Sequence, residues 1–254
     1  MMKRRLTDRD PRREQLRQAR LLNALERRFR KAIASEVTRA SLLMVGEYRN
    51  TGREPILPES HAQNLTRIYQ GLVEISVEVF GERVITQGKS LGLILEQKSF
   101  KEFFQRLALQ YIGLEAVRRR ITSVSEATRS QIIAQIVAGQ NAGESVSEIA
   151  KRIATAIPSI SRQRGALIAR TETHGAANFG ADGAARETGL DLRKEWVAAH
   201  DERTRSSHAE ADGQIVHMDQ PFTVGGEKLM YPGDPAGSGS NVINCRCSVS
   251  HIVD

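Results

Sequence analysis

Cys245 and Cys247 are the only cysteines among 254 residues, and a single arginine separates them. A disulfide between thiols so close in sequence would be strained, so they read as reduced thiols or as paired metal ligands. Along an extended strand side chains alternate, so both sulfurs point to one side and can meet one ion. His208 is the natural third ligand, with Asp201, His200 or His251 as candidates for a fourth. The result would be one structural Zn tying a polar loop to the last strand of a small subdomain. C-x-C is a weaker zinc signature than C-x2-C, and two reduced thiols beside a histidine are the competing reading. The single Trp, both Cys and three of the six His fall between Glu195 and Cys247, so the chemically distinctive residues are concentrated there.

The same stretch admits a second chemistry, a metal-dependent hydrolase or nuclease built on Glu172, Asp201 and His208. Against it, the sequence contains no H-E-x-x-H, no phosphate-binding glycine loop and no serine nucleophile elbow. Thiolate-rich closed sites are also typical of structural zinc. The expectation is therefore a protein that is not an enzyme. Asp201, Arg203 and Arg205 have a simpler use, a salt-bridged network with Arg170 and Glu172 that holds a helix to a sheet.

The elements that must position these residues can be read from periodicity. Asp10 and Pro11 make a helix start, and Leu22, Leu25, Phe29, Ile33 and Val37 recur on one face until the pattern fades between Gly46 and Gly52. Pro55 and Pro58 mark a break. A second helix then begins near Ser60, with Leu65, Ile68, Leu72, Ile75 and Val79 as its stripe, folded back on the first as a hairpin. Ser99 with Glu102, Ser123 with Glu126 and Ser145 with Glu148 have capping-box spacing. The first opens a helix with Phe100, Phe103, Phe104, Leu107 and Tyr111 on its apolar face, and the others open helices ending near Gly139 and Pro158. From Ser161 to Thr188 the sequence is helical and dense in small residues, with Gly175, Ala176, Gly180 and Gly183 suited to close packing against the sheet that follows.

After Gly189 the period turns to that of strands: LRKEWVAA, GQIVHM, FTV and KLMY, with Gly225-Gly226 as a hairpin turn and NVINCRCSVSHIV as the final strand. The fold class is α+β, with long amphipathic helices on the amino-terminal side and a small mixed α/β module of short antiparallel strands on the carboxy-terminal side. The expected partition is 1–140, a basic helical arm or bundle, and 141–254, the α+β domain.

Charge is uneven as well. Of a net +7, residues 1–50 hold fourteen Lys and Arg against six Asp and Glu, so the rest of the chain is close to neutral. Such a segment, with Arg12, Arg13, Arg17, Arg20, Arg27, Arg28 and Arg30 as its core, suits DNA phosphates or an acidic protein surface; long exposed helices are also arginine-rich for solubility alone. No apolar run reaches the roughly 18 residues of a membrane span, and the amino terminus lacks the apolar core of a signal peptide, so the protein is expected to be made and kept in the cytoplasm.

Several stretches, ARTETHGAANFGA, KEWVAAHDERTRSSHAEADGQIV, PF, VGG, LMYPGDP and NCRC, follow one another in an order that resembles the phage Mu F-like head morphogenesis family. The resemblance covers roughly residues 140–250. Its strongest motif runs Asp201, Arg203, Thr204, Arg205, His208, Asp212, Gly213 and closes on Cys245-Arg246-Cys247, with Trp196 just ahead of it. It implies a minor head protein of a tailed bacteriophage, present in small copy number at the portal vertex inside the capsid and acting in head morphogenesis and genome delivery. The implied partners are the portal protein, packaged double-stranded DNA, and a major capsid or scaffold protein. Some large relatives carry toxin or enzyme domains after the family domain; with Asp254 directly after the CRC strand, no such extension is expected here.

Overall fold

The computed structural model describes residues 4–5, 11–90 and 100–253. Helices α1 (Pro11–Thr51), α2 (Glu59–Ser90), α3 (Phe100–Gly113), α4 (Glu115–Asn141) and α5 (Val146–Glu187) precede most of the strands. Two short helices, α6 (Ser206–Glu210) and α7 (Gly239–Val242), lie among strands β2 (Leu192–Val197), β3 (Ile215–His217), β4 (Phe222–Val224), β5 (Glu227–Leu229) and β6 (Ser248–Val253). A two-residue strand, β1 (Arg4–Arg5), precedes α1. The α+β class holds: long helices first, then a small module of antiparallel strands.

The chain divides into two compact units, one formed by Met1–Glu26, Gln70–Leu114 and Arg170–Asp254, the other by Arg27–Tyr69 and Glu115–Ala169. The residue 140/141 boundary expected from composition falls at the carboxy-terminal end of α4, inside the second unit.

In the first unit β1, β6, β2 and β3 form an antiparallel sheet in that order, and β4 pairs with β5 as a separate hairpin. Gly225 and Gly226 turn that hairpin with φ of 55° and 81°, a conformation that side chains disfavour. β2 and β6 pair along their whole length, from Leu192 opposite Val253 to Val197 opposite Ser248. Both strands are almost wholly buried, so polar as well as apolar residues of β2 and β6 are inside. Trp196 packs its ring edge-on against Phe222 and against His208, each at 5.5 Å between centroids. α1 and α2 meet antiparallel in this unit through Arg83, which donates to both carboxylate oxygens of Glu14, at 2.8 and 2.6 Å.

In the second unit the same pair of helices is joined by Glu36, which accepts from Arg39 and Asn64 and lies 2.9 Å from His61 Nδ1. The expected hairpin is thus formed, although the apolar stripe of α2 is rotated. Tyr69, Val73, Val77 and Phe80 are buried with Leu65 and Leu72, whereas Ile68, Ile75 and Val79 are only half-buried. The Ser145 and Glu148 box closes as expected: the Ser145 N–H donates to the Glu148 carboxylate at 2.7 Å, and the Glu148 N–H donates back to Ser145 Oγ at 3.3 Å. Asp10 and Ser99, two more of the expected caps, lie outside the described residues, while Pro11 does open α1.

α1 ends at Thr51, within the interval where its pattern was expected to fade, with Val45 and Tyr48 continuing its buried face up to there. Three expectations are corrected. Ser123 and Glu126 do not start a helix. They lie inside α4, where Ser125 and Thr128 donate to the carbonyls of Ile121 and Val124, so these hydroxyls are satisfied mid-helix and Ile121, Val124, Ile132 and Ile136 stay on one buried face. Pro158 does not end a helix either. α5 runs through it for 42 residues. An interior proline costs about 3 kcal/mol, and the buried Ile153, Ile157 and Ile160 around it supply the packing that outweighs this.

The last correction concerns the small residues of α5. They admit helices and a loop, not the sheet: Gly180 faces Val77 of α2, Gly183 faces Leu107 of α3, and Gly175 faces Tyr111 and the Gly233 carbonyl. A Cβ on Gly180 would lie 2.7 Å from Val77 Cα and 2.8 Å from its carbonyl oxygen, both backbone atoms that cannot yield locally. Gly180→Ala is therefore expected to destabilise the protein by about 1–3 kcal/mol, read as a fall in the thermal or denaturant midpoint. An unchanged midpoint would show that α2 and α5 are not in backbone contact there.

Candidate functional site

The expected motif and metal-ligand residues from Asp201 to Cys247 lie in the first unit, where two loops are fastened together residue by residue. One loop is the HDERTRSSH stretch, residues 200–208, and the other is 241–247. His200 adopts φ of 54°, turning the chain out of β2. Asp201 then organises its own loop: its Oδ1 accepts the Arg203 N–H at 3.0 Å, and its carbonyl accepts the Thr204 N–H at 2.9 Å. This is the local turn that a short acidic side chain favours.

Across the gap, the Arg246 guanidinium grips the Asp201 carboxylate in a two-pronged pair, with Nη2 to Oδ1 at 2.6 Å. Arg205 donates to the Ile243 carbonyl. Ser207 Oγ donates to Asn241 Oδ1 at 3.3 Å, and Asn241 Nδ2 in turn donates to the Val224 carbonyl at 3.2 Å. His208, on α6, closes the series: its Nδ1 is 3.3 Å from Cys247 Sγ and 3.8 Å from Cys245 Sγ. Asp212 anchors the far end, accepting the Ala198 N–H at 2.8 Å and lying 3.3 Å from His200 Nε2.

The two cysteines reach His208 by a route other than an extended strand. α7 and a left-handed Asn244 (φ 59°) precede them, and β6 begins only at Ser248. The Asn244 N–H donates to Thr171 Oγ1 at 3.0 Å, which ties this bend to α5. The ligand atoms of His208, Cys245 and Cys247 lie within 4.8 Å of one another, and all three residues are buried. The Cys247 thiol hydrogen-bonds Cys245, and together with the nearby His208 this holds Cys245 well below the usual thiol range; the same bond and burial push Cys247 well above it. Neither Asp201 nor Glu172 belongs to this group. Asp201 is engaged by Arg246, and Glu172 is buried on α5.

Arg170 also has a partner that the sequence did not suggest. It lies 3.3 Å from Glu26 of α1, whose other oxygen is 3.1 Å from His174 Nε2. Burial alone would raise the Glu26 carboxyl, but the hydrogen bond and charge of His174, aided by Arg170, hold it below the usual carboxylate range. Asp182 is likewise held low: His251, Lys194 and Arg186 outweigh its burial.

One residue outside every sequence-based list links these parts. Asn178, 4% exposed, donates through Nδ2 to the carbonyls of His174, Pro232 and Cys247, and its Oδ1 accepts the Val249 N–H at 3.0 Å. The available signal was an asparagine within an Ala/Gly-rich helical face, where its propensity is poor and a tertiary role is the usual reason for it.

Of the expected basic residues, Arg13, Arg17, Arg20, Arg27, Arg28 and Arg30 are exposed on α1, and the side chain of Arg12 lies outside the described residues. In the second unit Arg27, Arg30, Lys31, Arg39 and Arg162 line an open groove of about 780 Å3 together with Thr38 and Ser161.

Residues 124–250, half of the chain, match the model of a family described as Phage Mu protein F like protein. The chain therefore belongs to the Phage Mu protein F like family. It is 32% identical over 145 residues to the minor head protein GP7 of Bacillus phage SPP1, covering 54% of this chain and 43% of that one. It is also 28% identical over 156 residues to a protein of Enterococcus faecalis named NAD(+)--arginine ADP-ribosyltransferase EFV, covering 60% of this chain and 32% of that protein. A third relative, the uncharacterized protein YqbB of Bacillus subtilis, is 28% identical over 102 residues, 39% of this chain and 33% of YqbB. The chain thus spans less than half the length of each of these relatives. No solved structure matches it.

Two outcomes follow from the ion pairs and from Asn178. Because the folded-state carboxyls of Glu26, Asp182 and Asp201 are lowered, their stabilisation is present above the unfolded-state carboxylate values and is lost as pH falls through the lower folded values. Denaturant titrations should therefore show stability dropping on acidification through that range, less steeply for Glu26→Gln; identical slopes for both proteins would remove Glu26 from this role. Asn178→Ala strands the Val249 N–H and takes a donor from the Pro232 and Cys247 carbonyls, and should cost about 2–4 kcal/mol in the same assay.

Proposed function

We propose that this protein is a minor head protein of a tailed bacteriophage, seated at the portal vertex on the capsid interior, where it acts in head morphogenesis and contacts DNA without reading sequence. The observation that carries this reading is the similarity to the SPP1 minor head protein within the shared family region. Its partners in this reading are the portal protein, packaged double-stranded DNA and a capsid or scaffold subunit. Among the described residues no helix is long and apolar enough to cross a membrane.

The charge distribution supports DNA contact more strongly than composition did. α1 holds four acidic residues, Glu14, Glu26, Glu36 and Glu47. The first three are buried and engaged by Arg83, by His174 and Arg170, and by Arg39 and His61. With those acids turned inward, the exposed Arg20, Arg27, Arg28, Arg30 and Lys31 face water with little compensating charge on their own helix. Phosphate contacts made by such side chains are sequence-independent and salt-sensitive.

The relative named as an ADP-ribosyltransferase extends well beyond the matched region, since the match covers 32% of it. In our reading the part shared with this chain is a folded assembly module that takes no part in catalysis.

Binding to linear double-stranded DNA of two unrelated sequences, titrated against salt, tests the DNA contact. The expected result is equal affinity for both, with a log–log salt slope that the triple substitution Arg27→Ala, Arg30→Ala, Lys31→Ala reduces by up to about three. Unchanged affinity and slope in the triple variant would refute this surface as the contact. Co-expression with the portal protein of the same phage should yield a co-purifying complex, and its absence from assembled proheads would refute the location.

A further inference from the structure

His208 is 2% exposed, as are Cys245 and Cys247. The polar contacts of its imidazole among the described residues are with the two sulfurs alone: Nδ1 lies 3.3 Å from Cys247 Sγ and 3.8 Å from Cys245 Sγ, while Nε2 is buried with no hydrogen-bond partner. A thiol is both a weak donor and a weak acceptor. Burying an imidazole against two such partners costs free energy that these contacts offset poorly, and an apolar side chain packed against Trp196 would fill the space at lower cost.

We propose that His208 Nδ1, Cys245 Sγ and Cys247 Sγ bind one zinc(II) ion, which locks the loop at 200–208 to the segment at 241–247. The donor set fits the ion. With zinc about 2.3 Å from sulfur and about 2.0 Å from nitrogen, tetrahedral angles place N and S about 3.5 Å apart, between the two separations found here. Two thiolates neutralise the divalent charge, so no net charge is carried into the interior. Thiolate with imidazole favours zinc over the oxygen-seeking magnesium and calcium. Three protein donors leave one tetrahedral position for a water molecule or one further donor. The Asp201–Arg246 pair and the Arg205 contact to Ile243 already hold the two segments at this spacing, so the ligands are gathered before the ion arrives.

The inference does not depend on the role in a phage head and is tested without it. Full-length protein, purified under reducing conditions without a metal-affinity tag, is expected to carry about one zinc per chain by elemental analysis. After chelation and thiol reduction, adding cobalt(II) alone should produce thiolate-to-cobalt charge-transfer absorption and the strong visible bands of a tetrahedral site. Cys245→Ser with Cys247→Ser should lose the ion and melt lower, while His208→Cys, which keeps a third donor, should retain stoichiometric zinc. Protein that is purified without zinc and takes up neither zinc nor cobalt after reduction overturns the proposal, as does full zinc content in the double serine variant. The cobalt spectrum is read on the unaltered chain, so the proposal stays testable even if a variant fails to fold.

Discussion

The arrangement of the carboxy-terminal half depends on one buried carboxamide. Asn178 sits on a helix, and its two polar atoms meet backbone groups from three other places in the chain: the turn at Pro232, the cysteine segment at Cys247 and the start of β6 at Val249. Backbone groups removed from water must find partners, and here a single side chain satisfies several that no ladder or helix can reach. Because the amide offers donors on one side and an acceptor on the other, it also fixes polarity: carbonyls must approach Nδ2 and an N–H must approach Oδ1. The cysteine segment is thereby placed at one height along α5, and the reach of Arg246 to Asp201 and of the thiols to His208 follows from that placement.

Much of this was legible in the sequence, and the gaps have physical causes. Helices, strands and the Gly225-Gly226 turn came through because their signals are local. The capping box at Ser145 held because nothing at that position competes with it, whereas the same spacing at Ser123 was overridden by the buried isoleucine face of α4. Pro158 misled for the reverse reason, since tertiary packing on both sides outweighs a local penalty. In the site, the gathering of His208 with the two cysteines was legible from residue type and position, but the partners of Asp201 and Arg205 were not. Charge type alone cannot say that Asp201 faces Arg246 and not Arg170, or that the partner of Arg170 lies 144 residues earlier at Glu26.

That last pairing also alters how the basic amino-terminal segment should be regarded. Counted along the chain, acids dilute the arginines of α1. Counted by where the side chains point, they hardly do, because Glu14, Glu26 and Glu36 are withdrawn into ion pairs with other helices. At Glu26 and Glu36 the pairing outweighs the desolvation, and each of these pairs also specifies which face of the helix is internal. The outward cationic character is then a by-product of how the helix is seated.

The strand order carries a consequence for how the protein is made. β6, the latest strand in sequence, is an inner strand, with β1 from the opposite end of the described chain on one side and β2 on the other. An interior strand cannot be added last without leaving its neighbours open until then. During synthesis the helices can form as they emerge, since their bonds are local, but β1 and β2 wait as unsatisfied edges until residues 248–253 clear the ribosome. Completion of the sheet, and with it the seating of the cysteine segment, thus waits on the emergence of residues 248–253 from the exit tunnel.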